Sequence, residues 1–113
     1  MEKQILLFQN PVFSEMNVTV RLGDKWKNRV GVGDIVSVRE TGKEDIHLID
    51  AEIKQILSVK FKLLNGVYSN LLKFEHDPNC RNYKGLTETM TSVYGPTFNV
   101  DSIITVLAFS TKI

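Results

Sequence analysis

Apolar and polar residues alternate along much of this chain, and the alternation predicts most of its elements. Val18, Val20 and Leu22 fall on one side of a short strand, with Thr19 and Arg21 on the other. A polar loop from Gly23 to Val32 follows. The turn formers Gly31 and Gly33-Asp34 then lead into a second alternating strand through Ile35, Val36, Val38 and Arg39. Before these, Ile5 to Phe8 reads as a first strand stopped by Asn10-Pro11, and Pro11 to Asn17 as a connection with at most one helical turn. Glu40 to Asp45 is a polar turn. From Ile46 to Phe61, Ala51, Ile53, Leu57, Val59 and Phe61 are set against Glu52, Lys54, Ser58 and Lys60. Gln55 interrupts the apolar side and Ile56 the polar one, which leaves a helix open and favours a bend or bulge in two long strands.

The period turns helical after Lys62. Tyr68, Leu71 and Leu72 predict a short amphipathic helix ending near Asp77-Pro78, because the residue before a proline resists the α region. Asn82 is placed to cap a second helix, with Leu86, Met90 and Val93 at i, i+4 and i+7 and Gly95-Pro96 closing it. Ile103 to Ser110 is apolar on both faces and predicts a central, buried strand. Strands, then helices, then a closing strand predict one α+β domain over residues 1–113, a mixed β-barrel with two or three helices on one side.

Composition narrows the picture a little. The chain has 113 residues with 42% hydrophobic content, ordinary for a globular domain. No apolar run approaches the ~20 residues needed to cross a bilayer, and the N-terminus lacks a secretory pattern. The single Cys80 fits a reducing compartment, so a cytoplasmic protein without membrane contact is expected. Net charge is +1, from 14 basic and 13 acidic residues, which by itself does not mark a nucleic-acid binder. Basic residues nevertheless gather at Arg21, Lys25, Lys27 and Arg29 against Asp24 alone, and again at Lys54, Lys60 and Lys62.

Several residues are candidates for chemistry. Arg21, on the polar side of its strand, can fork onto a phosphate or carboxylate; the plain alternative is an ion pair with Asp24 or Asp34. Trp26 between Lys25 and Lys27 has the make-up of a base-stacking loop, against the alternative of a packed core indole. Lys25, Lys27 and Arg29 would attract phosphates, and Lys60 and Lys62 would extend that surface. Tyr94 could bring its hydroxyl to a cleft or simply cover the core. His76, Asp77 and Cys80 form H-D-x-x-C, but zinc needs at least three placed ligands, and Pro78 suits a helix start better than a catalytic dyad. No metal and no cofactor is expected.

VTVRLGDKW, then VGVGDIVSV, then LLKFEHDPNCRN and a helix ending SVYG together resemble the ASCH family of the PUA-like superfamily, from about Ile5 to Phe109. The resemblance implies a PUA-like barrel, closed or partly open, with helices beside a cleft that binds RNA or a modified nucleobase. It also implies that His76 and Arg81 line the cleft rim. The family's G-x-K-x-x-E-x-R signature keeps its terminal Arg as Arg21, while Thr19 stands at the Glu and Met16 at the Lys.

Three functions follow as expectations. One is a non-catalytic RNA- or nucleotide-binding domain using Arg21, Lys25, Trp26, Lys27 and Arg29. Another is a small amidohydrolase acting on acetylated cytidine, with Thr19 as a polar or nucleophilic group and Lys25 or Glu75 as proton carrier. The third is a protein-interaction module without nucleic acid.

Overall fold

A computed structural model describes residues 3–113. Five strands form one mixed sheet: β1 (Ile5–Phe8), β2 (Met16–Leu22), β3 (Ile35–Glu40), β4 (Ile49–Lys60) and β5 (Ile103–Ser110), ordered β1-β3-β4-β5-β2. β1 runs parallel to β3, and the other pairings are antiparallel. Among the described residues there are two α-helices, the single turn α1 (Trp26–Arg29) and α2 (Tyr83–Tyr94). Short 3-10 turns fill much of the rest between Phe61 and Thr97.

The long apolar-polar run is one strand with an irregularity inside it. Ile53 pairs with Phe109 and Gln55 with Ala108, so Lys54 is the extra residue of a bulge. One added residue reverses the parity of everything after it. Ala51, Ile53 and Ile56 therefore share one face, and Leu57 and Val59 go to the other, not to a single face as the alternation suggested.

Two cores result. On one face Val18, Val20, Ile104 and Val106 pack against Phe61, Leu64, Leu72, Leu86 and Met90 from α2 and the 3-10 turns. On the other the sheet curls over itself, burying Leu6, Phe8, Val36, Val38, Leu107 and Phe109. The curl brings the two edge strands face to face: the Arg21 guanidinium on β2 lies 4.7 Å from the centre of the Phe8 ring on β1. No ladder joins them, so the expected barrel stays open. A physical reason is visible at β2. Its outer edge at Val18 is taken by the segment after Phe74, where Glu75 forms a parallel bridge with Val18 and the His76 N–H donates to the Val18 carbonyl at 3.0 Å.

β5 is buried along nearly its whole length, as its apolar faces predicted. Asn82 caps α2 by accepting from the Gly85 N–H at 2.8 Å, and Gly95 ends the helix at φ +60°. Gly85 has a second duty. A Cβ there would stand 1.9 Å from the Asn79 carbonyl oxygen, so only glycine lets α2 lie this close to the Pro78–Cys80 turn. Of the three apolar positions expected on α2, Leu86 and Met90 are buried and Val93 is exposed. The helix expected around Tyr68–Leu72 is instead a pair of 3-10 turns, Phe61–Asn65 and Ser69–Phe74, separated by Gly66. Asn65, Gly66, Ser69 and Asn70 favour turns over continued α-helix.

Candidate functional site

The free edge of β2 beyond Val18 is not covered by another strand, and a cavity of about 280 Å³ lies along it. Its walls come from the end of β1, from β2, from Glu75–Asp77 and from α2. The ladder to β5 determines which main-chain groups face it. Gly23 N–H bonds the Ile103 carbonyl, and Thr111 N–H bonds the Glu15 carbonyl, so the odd-numbered residues of β2 direct their amides toward β5. Val18, Val20 and Leu22 therefore direct theirs outward. Val18 carbonyl is met by His76 N–H, and Leu22 N–H donates to the Tyr94 hydroxyl at 3.4 Å. Val20 lies between them, buried on the cavity wall, and its N–H and C=O have no hydrogen-bond partner among the described residues. An unpaired peptide group in a buried position calls for a water or a ligand.

The side chains around it form a linked polar set. Arg21 Nε donates to Thr19 Oγ1 at 3.1 Å, which leaves the Thr19 proton free for another acceptor. Burial holds the Arg21 guanidinium below its ordinary pKa, and Tyr94 and Glu75 oppose that shift. Asp24 and Asp34, its suggested partners, are engaged elsewhere: Asp24 meets Lys27 at 3.5 Å and Asp34 accepts from Gly31 N–H at 2.8 Å.

Glu75 is buried, and its Oε1 is 2.6 Å from Nδ1 of the nearly buried His76. Nδ1 is also 3.4 Å from the Val18 carbonyl. Both neighbours are acceptors, so Nδ1 carries the proton and a neutral His76 keeps its lone pair on Nε2. The ring is fixed edge-on against Phe8, with centroids 4.7 Å apart.

Of the residues expected to bind nucleic acid, Arg21, His76 and Tyr94 line this cavity, and so do Thr19 and Glu75 from the suggested catalytic set. Arg81 is exposed and braces the wall, donating from Nε to the Glu75 carbonyl at 2.9 Å. The other candidates do not line it. Trp26 packs partly buried against the inner core, with the Arg29 guanidinium 5.3 Å from its ring, so its indole is a core cap and not a platform beside Arg21. Lys25, Lys27 and Arg29 are exposed on or next to α1. Lys60 is exposed at the end of β4, and Lys62 is tied to Asp101 at 2.9 Å. The single basic concave face suggested by the charge clusters is not assembled at the cavity, whose ionisable lining is Arg21, Glu75, His76, Asp77, Cys80 and Tyr94.

Cys80 is buried and poorly placed to act as a nucleophile. Burial, with Glu75 and Asp77 nearby, pushes its thiol up to about 11, although a hydrogen bond to Thr89 works the other way. Among the described residues no three His, Cys, Asp or Glu side chains are grouped to hold a metal ion. Nor is any helix there long and apolar enough to cross a membrane. No protein-family model, curated protein or solved structure matches this chain.

The sequence reading missed the Val20 peptide and the pairing of Glu75 with its own neighbour His76. Adjacency of a carboxylate and an imidazole was a signal for the second. Nothing in the sequence signalled the first, because any residue at that position presents the same peptide.

Proposed function

We propose that the cavity beside β2 holds the base of a nucleotide or of single-stranded RNA, in an opened barrel of the PUA-like kind implied by the resemblance to the ASCH family. The observation that carries this is the unpaired Val20 peptide, a donor and an acceptor side by side on a buried wall. The amide edge of a nucleobase offers the complementary pair. Charge supports the same choice. One cation, Arg21, stands among Glu75 and Asp77, which suits a neutral planar group better than a run of phosphates. The cavity volume is near the low end of the ~300–1,000 Å³ usual for small-molecule pockets, enough for a base and not for an oligonucleotide.

Titration with short single-stranded RNA and with free nucleosides tests the reading. A single engaged cation gives a shallow salt dependence: with one or two phosphates neutralised, a fourfold rise in salt lowers affinity about three- to sevenfold. Binding is expected to shift the Val20 amide resonance and to weaken about tenfold or more in Arg21→Ala. No binding at low salt, or binding indifferent to Arg21→Ala, would overturn it.

A second reading, hydrolysis of the amide of acetylated cytidine, is favoured by the 2.6 Å Glu75–His76 contact in the cavity that Thr19 also lines. Glu75 or His76 would take the proton of the Thr19 hydroxyl. Lys25 is not at the cavity and has no part in it. Acetate release from acetylated cytidine, abolished by Thr19→Val, would establish this reading. Its absence would leave binding alone.

A further inference from the structure

The outer face of the sheet, away from that cavity, carries a second polar cluster. Ser37 on β3 pairs across the ladder with Asp50 on β4, so both side chains project from the same face. His47 comes from the connection between the two strands. Its Nδ1 is 2.7 Å from Ser37 Oγ, and its Nε2 is 3.6 Å from Asp50 Oδ1. Arg39, two residues along β3, donates from Nε to Ser37 Oγ at 3.1 Å, and its Nη1 is anchored on the Glu44 carbonyl at 2.5 Å. Lys3 holds the other oxygen of Asp50 at 2.9 Å. These groups line a hollow of about 570 Å³, with the nearly buried Ser37 on its floor.

Hydrogen-bond accounting assigns the protons. Arg39 Nε can only donate, so Ser37 Oγ accepts there and is free to donate its own proton to His47 Nδ1. The neutral ring then carries its hydrogen on Nε2, facing Asp50. Asp50 Oδ1 is a buried oxygen without a hydrogen-bond partner, and the His47 Nε2–H is the donor nearest to hand. A closing movement of well under 1 Å would bring the two into hydrogen-bond range. Hydroxyl, base and orienting carboxylate thus stand in the order that activates a serine; with Nε on Ser37 Oγ and Nη1 on Glu44, Nη2 is the Arg39 donor left for the oxyanion that forms on the substrate's carbonyl oxygen.

We propose that Ser37, His47 and Asp50 form a second, nucleophilic site that cleaves small carboxylic esters. Ser37 Oγ attacks the ester carbonyl carbon as its proton passes to His47 Nδ1. Asp50 steadies the imidazolium, and Arg39 receives the oxyanion. The carbon–oxygen bond to the alcohol breaks, and the departing alkoxide takes the proton from Nδ1. Water, deprotonated by the same nitrogen, then attacks the acyl-serine; the acyl–Oγ bond breaks, Ser37 Oγ takes the proton back from Nδ1, and the carboxylic acid leaves. Ser37 and His47 are the catalytic pair; Asp50 is a positioning residue. The site shares no residue with the cavity beside β2, so the base-binding proposal stands or falls separately.

The full chain is incubated with p-nitrophenyl acetate and, separately, with a fluorophosphonate ester. Expected are a burst of nitrophenol followed by slower turnover, and a fluorophosphonate adduct mapped to Ser37. Ser37→Ala, a change of one oxygen atom, removes the burst and the adduct and lowers turnover at least tenfold. His47→Gln, at a half-exposed position that folding tolerates, does the same. Asp50→Asn lowers turnover less and moves its pH profile. Hydrolysis equal in wild type and Ser37→Ala, or no adduct at Ser37, overturns the proposal. An adduct on Thr19 instead also overturns it, by transferring the reactivity to the other cavity.

Discussion

Two histidines stand in this chain, each beside a carboxylate, in opposite surroundings. His76 and Glu75 are 2.6 Å apart with side chains only 12% and 3% exposed, held by Phe8, the Val18 carbonyl and the Asp77 amide. His47 and Asp50 are 3.6 Å apart with side chains 48% and 36% exposed, on the outer face of the sheet. The first pair is short and shielded from water; the second is loose, with both side chains partly exposed although Asp50 Oδ1 itself is buried and lacks a hydrogen-bond partner among the described residues. The buried pair is therefore part of the fold as well as of a site. The outer pair can change with little structural consequence. A sequence presents both as a histidine near an acid, and only packing separates them.

The largest expected difference is in stability. Glu75→Ala removes a buried carboxylate from His76 and from the Asp77 N–H, and should cost about 3 kcal/mol. Glu75→Gln, which keeps an acceptor, should cost less. Asp50→Ala should stay within about 0.5 kcal/mol. Urea unfolding of the three variants reads the comparison directly: equal losses at Glu75 and Asp50 would mean that burial does not distinguish the pairs.

Reactivity at Cys80 probes the buried side from a different direction. With its thiol pushed up to about 11, the thiolate at about pH 8 is on the order of 100-fold scarcer than in an unperturbed cysteine. Native protein should react with a thiol reagent slower than a free thiol by at least that factor, and denatured protein at the free rate. The sign for stability follows from the same shift. The folded state holds this proton more tightly than the unfolded one, so stability falls as pH rises from the unfolded value toward about 11 and is flat below that window. A native thiol reacting at the free rate would show the wall behind Glu75 and His76 to be open to water.

Much of the fold was written in local pattern. The alternation at Val18–Leu22, the Asn82 cap, the Gly95 stop and the apolar run of β5 each depend on neighbours in sequence, and each is found. The irregularity at Gln55-Ile56 was legible too, but its consequence was not. A one-residue bulge sends Leu57 and Val59 to the face opposite Ala51 and Ile53, and parity beyond a bulge depends on which residue is extra. That the sheet does not close was not decided by local pattern, because closure turns on whether β1 or Glu75 pairs with the edge of β2, a competition between distant segments. At the site, Arg21 was placed by its strand face. Trp26 misled because flanking lysines describe the surface of a loop and say nothing of where a large apolar ring packs.

The smallest effect is expected at Lys3, and it tests the outer pair most closely. Lys3 and Asp50 meet at 2.9 Å with side chains 51% and 36% exposed, so their attraction is weakened by water and the cost of ordering a lysine offsets much of the gain. Lys3→Met should change stability by no more than about 0.5 kcal/mol, and the difference should shrink further at about 1 M salt, where the Debye length falls to about 3 Å. The ladder between Ser37 and Asp50 keeps Asp50 on the same face as Ser37 whether or not Lys3 holds Oδ2. A loss above about 1.5 kcal/mol, insensitive to salt, would place the outer cluster in the same class as the Glu75 cavity. The two histidines would then differ in exposure but not in how firmly the fold depends on them.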